Sequence, residues 1–280
     1  MNDGPALSIK SSIPSGAWDC HMHFYGPDET GNTSPVGGFQ MPEATVESYN
    51  KVRAAAGISR FVAVQSVAYG FDNSVMFDAL TAYGDDARAV VVVPADVDVD
   101  AIRTFHRLGA RGARAYMLEG AVLNWNDLPK LCETIEPFGW HLQIQIEGEM
   151  LPDLFSLLTS LACPIVIEHN GKFRSPPKID DEGLVTLLKL LDTNRIWVKM
   201  SGPYEMSADG SSDYRDIVPL AQATVAHRPD RLVWATNYPH PGIARPPTER
   251  ALLDLLSTWT RNDRTARDRI LVGNPSQLYA

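Results

Sequence analysis

Short apolar runs recur along the chain, each followed by a longer stretch in which apolar and polar positions alternate with helical spacing. The runs at 18–24, 60–66, 88–94, 112–117, 140–146, 164–169, 195–200 and 231–237 are rich in Val and Ile, and several are apolar almost throughout. A strand with one wet face would alternate, so these runs read as strands of a parallel sheet covered on both sides. The stretches 42–57, 72–84, 98–109, 126–139, 151–162, 180–194, 213–227 and 248–260 read as helices. The first has Pro42 near its opening turn and stops at Gly57; the next two close on Gly84 and Gly109. Proline inside the start and glycine past the end is the asymmetry expected of helices. Eight strand–helix pairs in order predict a (β/α)8 TIM barrel, one domain over residues 17–280, behind an N-terminal lead-in at 1–16. An open doubly wound sheet normally uses fewer units, and no GxGxxG follows the first strand, so a dinucleotide-binding domain is not indicated.

Composition narrows the partners. With 280 residues, 44% hydrophobic and 21% charged, the chain matches an ordinary globular protein with a large core. A net charge of -9 argues against nucleic acid or an anionic membrane as partner, because phosphates would be repelled. Cys20, Cys132 and Cys163 form no CxxC pair, which points to a reducing, cytoplasmic setting rather than a disulfide framework. No apolar stretch has the length of a signal-peptide core near the start, or the ~18 residues of a membrane span anywhere. A homo-oligomer is compatible with all of this.

Candidate chemistry sits where the strands end, the face on which barrels of this kind carry their active sites. The first strand ends in Asp19-Cys20-His21-Met22-His23; residues two apart share a side, so His21 and His23 both face the barrel axis. One such histidine would read as a satisfied core residue. Two buried imidazoles on the same face each cost desolvation unless used. His169 ends the sixth strand, and Asn237 ends the eighth, ahead of Tyr238-Pro239-His240-Pro241. Arg114, Gln145 with Glu147, and Lys199 with Ser201 and Tyr204 make three further strand ends polar.

The HxH of His21 and His23, the His169-Asn170-Gly171 run and Thr236-Asn237-Tyr238-Pro239-His240 together resemble the amidohydrolase superfamily. More narrowly they resemble its branch of 2-pyrone-4,6-dicarboxylate lactonase, 4-sulfomuconolactone hydrolase and D-galactarolactone isomerase. The resemblance runs from about Trp18 to Tyr279 and includes Gly112-Ala113-Arg114, Gln145-Ile146-Glu147, and Lys199-Met200-Ser201-Gly202 with Tyr204-Glu205. It implies a lactone-processing enzyme. One departure matters: lactonases of this branch usually carry Asp, the base that activates water, where this chain has Asn237. An amide cannot usefully accept a proton near neutral pH. The isomerase pattern also has Asn there but has lost the first histidine of HxH, which this chain keeps as His21.

Two mechanisms stand even. In one, His21, His23 and His169 hold a divalent metal, zinc foremost, since three nitrogen donors and an open position suit a catalytic zinc. In the other no metal takes part; the same histidines hold the carbonyl oxygen, and His240 or Glu147 is the base. Arg114 and Lys172 are the candidates for gripping a substrate carboxylate, with Gln145 and Tyr204 bonding ring oxygens. The substrate expected is a small carboxylated lactone. Hydrolysis is the first expectation and lactone isomerisation the second. Metal-dependent decarboxylation and a non-catalytic binding barrel are further alternatives.

Overall fold

The computed structural model describes residues 13–209 and 213–280; most of the expected lead-in lies outside them. Eight parallel strands follow one another in sequence order: β1 Trp18–Met22, β2 Arg60–Val64, β3 Ala87–Val91, β4 Ala110–Tyr116, β5 His141–Gln145, β6 Ile165–Ile167, β7 Ile196–Met200 and β8 Leu232–Trp234. The ring is joined where the Asn237 N–H donates to His21 O at 2.9 Å and the His23 N–H to Tyr238 O at 2.8 Å. Helices α1 Val46–Ala56, α2 Ser74–Leu80, α3 Val99–Arg107, α4 Leu128–Ile135, α5 Leu151–Ser160, α6 Glu182–Leu191, α7 Val218–His227 and α8 Glu249–Trp259 alternate with them. The fold is thus the (β/α)8 barrel that the patterning predicts.

The differences lie at the ends. The β6 ladder stops at Ile167 and the β8 ladder at Trp234, earlier than their apolar runs suggest. Beyond them His169, Asn170 and Asn237 adopt left-handed φ values of 50°, 54° and 62°. A backbone in that region leaves the extended path, so the site side chains stand on turns rather than on the strands themselves. After α8 the chain forms α9 Arg264–Asp268, a π-helical turn Arg269–Gly273 and α10 Asn274–Leu278, none of which the strand–helix count contains.

Two apolar clusters explain why the strands are apolar on both faces. The larger packs residues such as Phe61, Ala63, Leu142, Ile144, Ile165 and Val198 against the helices. The smaller holds the opposite-parity residues Val62, Val64, Val166, Trp197 and Val233 together with Trp18 and Cys20, so it fills the barrel interior; Tyr279 packs with it. On β1 the parity changes: Trp18 and Cys20 join the inner cluster, while Met22 and Phe24 join the outer one. The β1–β2 register shifts between Asp19 and Met22. That irregularity turns His21 and His23 inward although Asp19 faces the α1 side, where it accepts from Tyr49 Oη at 3.1 Å.

Candidate active site

The polar residues of the inner face form one connected layer above the apolar plug. His23 Nδ1 lies 2.8 Å from the Val64 carbonyl, which fixes its proton on Nδ1 and leaves Nε2 as an acceptor. His21 Nε2 is 3.2 Å from that atom and therefore carries the donated hydrogen. His21 Nδ1 is then left to accept from Gln143 Nε2 at 3.4 Å. The orientation of Gln143 follows independently. Its Oε1 accepts from the Lys199 ammonium, and its Nε2 donates to Glu168 Oε1 at 2.5 Å. Lys199 also donates to Cys20 O at 2.6 Å. Protons thus point one way, from Lys199 through Gln143, His21 and His23 to Val64 O.

Glu168 is the anionic centre of this layer. Arg114 grips it through Nε–Oε1 at 2.7 Å and Nη2–Oε2 at 2.9 Å. Burial would raise the carboxyl, but the Arg114 charge and its hydrogen bonds outweigh it, and Glu168 is held down to about 2. Arg114 also donates to Gln145 Oε1 at 2.7 Å and to Gln65 O at 3.0 Å, so a single Nη1 hydrogen is left for a ligand. His169 Nε2 stands 3.3 Å from Glu168 Oε2, and its Nδ1 is 2.9 Å from Ser201 Oγ.

Burial keeps the imidazoles uncharged. It drives His21 well below its ordinary value, with Lys199 adding to the effect. It lowers His23 to about 3, His169 to about 4, and His141, deeper in the barrel, to about 3. A depressed histidine is protonated first in the unfolded chain, so its contribution to stability is full above about pH 6.5 and is lost as pH falls from there. Each of the four is expected to cost up to about 1.4 kcal/mol of stability per pH unit below that point. Urea unfolding at pH 7.5 and pH 5 should show a clearly lower midpoint at pH 5. An unchanged midpoint contradicts buried neutral imidazoles.

A second polar chain comes from β8. Asn237 Nδ2 donates to Tyr204 Oη at 2.9 Å, and Tyr204 Oη donates onward to His240 Nδ1 at 2.9 Å. Burial raises the Tyr204 phenol well above its ordinary value, so it stays a donor. Asn237 Oδ1 is buried and has no hydrogen-bond partner among the described residues. Below the turn, Asp19 accepts from the Thr236 N–H at 2.9 Å and from Thr236 Oγ1 at 2.5 Å, which ties the end of β8 to β1.

These groups surround a cavity of about 270 Å3 at the C-terminal mouth, lined among others by His23, Arg114, Gln145, His169, Lys172 and Asn237. The β1–α1 connection roofs it with Tyr25, Val36 and Phe39. Of the residues expected from the sequence, His21 lies fully buried beneath His23 rather than on the cavity wall. Tyr204 and His240 stand behind Asn237. Glu147 is drawn to the rim by an ion pair with Arg174 and lines an outer pocket with Leu118 and Glu119. The sequence assigned no role to Glu168 or Gln143, read Lys199 only as a polar strand end, and carried Glu205 only as part of the matching Tyr204-Glu205 segment. Glu168 was marked only by following the Ile165–Ile167 strand, and nothing local distinguishes Gln143 from a solvent-facing polar residue.

His21, Glu168 and His169 bring ligand atoms within 4.8 Å of one another, a grouping able to hold a metal ion. As hydrogen-bonded, however, this set is not a free donor set. Glu168 is spent on Arg114 and Gln143, the oriented Gln143 amide puts a proton on His21 Nε2, and that proton occupies the lone pair of His23. The paired arrangement does not fit a divalent cation without reorganising.

The chain is similar to known proteins over nearly its whole length. A 2-pyrone-4,6-dicarboxylate hydrolase of Comamonas testosteroni is 30% identical, with 95% of this chain and 91% of that protein covered. A D-galactarolactone isomerase of Agrobacterium fabrum is 31% identical, with 96% and 92% covered. A ligand-free crystal structure from Agrobacterium tumefaciens superposes with a TM-score of 0.88 at 30% identity, covering 96% of this chain and 97% of that one. A zinc-bound Burkholderia multivorans amidohydrolase shares the fold at a TM-score of 0.73 and 16% identity, over 94% and 98%. The amidohydrolase family model matches residues 18–280, from the first residue of β1 past the last helix, and so takes in every strand end that supplies the cavity. The chain belongs to the amidohydrolase family.

Proposed function

We propose that this enzyme opens the ring of a small carboxylated lactone by hydrolysis, in the cytoplasm, without a metal. The observation that carries the reading is the cavity itself, which offers separate donors and acceptors on opposing walls. Gln145 Nε2 and the remaining Nη1 hydrogen of Arg114 are donors without a protein acceptor among the described residues, and both groups line the cavity. They polarise the lactone carbonyl and receive the oxygen as it becomes negative, which is where preorganised donors help most. Asn237 also lines the cavity, and its Oδ1, buried and without a hydrogen-bond partner among the described residues, is the acceptor that a water or a substrate hydroxyl meets once the side chain turns toward the cavity. Lys172, beside Glu205 at 2.5 Å, is placed to meet a carboxylate at the mouth. The relatives named for a pyrone dicarboxylate and for galactarolactone support the substrate class. The metal-free form is supported by the proton order of the His21–His23 pair. Three free, buried cysteines suit a reducing compartment. No helix among the described residues is long and apolar enough to cross a membrane.

Isomerisation is the second reading, and Asn237 in place of an acid is what favours it. A panel of carboxylated lactones, followed by base uptake in a pH-stat and by proton NMR, tests both. Base uptake with at least one lactone is the expected result. Isomer formation without uptake gives the second reading, and neither product across the panel defeats both. Elemental analysis of the active protein accompanies the panel, and zinc near one per chain with activity lost to chelator would overturn the metal-free form.

A further inference from the structure

Water attack on a lactone carbonyl needs a proton acceptor, and the residues first expected to serve are not placed for it. Asn237 is an amide. His240 is 4% exposed and separated from the cavity by Tyr204, and Glu147 is paired with Arg174 at the rim. Glu168 does not line the cavity and is saturated by Arg114 and Gln143. Among the described residues lining the cavity, Glu205 is the only carboxylate.

Glu205 ends the short helical turn Pro203–Glu205 that follows β7. Its backbone N–H donates to Gly202 O at 2.9 Å. Gly202 has a left-handed φ of 56°, and a Cβ there would lie 2.9 Å from His169 Nδ1 and 3.1 Å from Glu205 Cγ. Glycine is required at 202 because the imidazole of His169 and the stem of Glu205 crowd the same backbone point. Glu205 Oε2 accepts from Lys172 Nζ at 2.5 Å, while Oε1 has no protein partner among the described residues. A carboxylate with one oxygen anchored and the other open, beside a catalytic imidazole and on the wall that Asn237 shares, has the features of a positioned base.

We propose that Glu205 is the general base of lactone opening, in place of the acid that Asn237 lacks; the proposal rests on the hydrolytic reading above. Glu205 Oε1 takes one proton from water as the water oxygen bonds to the lactone carbonyl carbon. When the tetrahedral centre collapses, the ring C–O bond breaks and the leaving oxygen takes the proton back from Glu205. The carboxylate is regenerated, and the net change is one water added to give a hydroxy acid.

The test uses the lactone that the wild type opens, so a wild type without hydrolysis defeats the functional reading before this proposal is reached. Glu205→Gln keeps an oxygen for Lys172 and is expected to lower kcat by ~10²-fold or more, with KM changed less than about threefold. Asn237→Asp in the Glu205→Gln background puts a carboxylate on the same cavity wall and is expected to recover at least about tenfold of the lost kcat. Lys172→Met breaks the same ion pair but leaves the carboxylate, so it is expected to raise KM and to lower kcat by at least about tenfold less than Glu205→Gln does. Wild-type kcat in Glu205→Gln overturns the proposal. So does a kcat loss in Lys172→Met equal to that in Glu205→Gln, because Glu205 would then act only through the ion pair. Failure of the double variant to recover activity, with its melting temperature unchanged, also overturns it.

Discussion

His169→Ala is expected to lower kcat by ~10²-fold or more, the loss usual when a positioned catalytic group is removed. His169 is on the cavity wall, between Glu168 and Ser201. His21→Ala is expected to produce a loss of similar size by a different route. His21 does not line the cavity; it donates to His23 Nε2 and accepts from Gln143. Its removal leaves the cavity-lining His23 with an unfilled acceptor and a ring free to tilt. The two variants therefore differ in rescue. Imidazole added to His169→Ala can reach the cavity from solvent, whereas the hole left by His21 is sealed beneath His23. Partial recovery with the first variant and none with the second is the expected pattern. Both side chains are buried, so the melting temperature of each variant is measured alongside its turnover to show that the fold is kept. Wild-type turnover in either variant removes that histidine from the mechanism. Metal analysis of both distinguishes the remaining case: under the metal-free reading neither changes in metal content, while under a zinc mechanism both lose it.

The strand–helix alternation was legible because a parallel barrel buries both faces of every strand, which leaves long apolar runs that few other folds produce. The convergence of His21, His23, His169 and Asn237 was legible for a related reason: strand ends in a barrel share one face, so position along the run predicts location. Contacts between distant strands were not legible. The Lys199–Gln143–Glu168–Arg114 network joins β7, β5, β6 and β4, and none of its members lies near another in sequence. Arg114 shows the consequence. From sequence it reads as a free grip for a substrate carboxylate, yet most of its hydrogen bonds go to Glu168, Gln145 and Gln65. Lys199 reads as a polar strand end and is fully buried, its ammonium lowered to about 8 by burial against the opposing pull of Glu168. The parity change on β1 was hidden as well, because a register irregularity leaves no mark in an apolar-polar pattern already dominated by buried residues.

Asn237 gives the sharpest test of how this chain departs from lactonases with an acid at the end of β8. Asn237→Asp is expected to keep or raise the rate of ring opening. The left-handed φ of 62° is tolerated by Asp as by Asn, so the backbone does not oppose the change. The hydrogen bonds must reverse. Asn237 Nδ2 now donates to Tyr204, whereas a carboxylate has to accept from it. Tyr204 can turn its hydrogen toward Asp, provided His240 moves its proton to Nδ1 and donates to the phenol oxygen. The neutral tautomers of imidazole permit this, and the cost falls on His240 Nε2, which then turns a lone pair rather than a hydrogen toward Glu249 Oε1 at 3.9 Å. Asn237→Ala removes both partners. It strips Tyr204 of its donor, takes away the cavity's unpartnered acceptor, and places a residue with no local hydrogen bond in the left-handed region. Ring opening should then fall by ~10²-fold, in line with loss of a group that orients the nucleophile. If the wild type isomerises instead, Asn237→Asp should generate hydrolysis where little existed, as a new base captures water. Acid release and isomer formation, measured side by side for wild type and both variants, separate these outcomes. An alanine variant equal to wild type in both assays would reduce Asn237 to a packing residue and sink its assigned role.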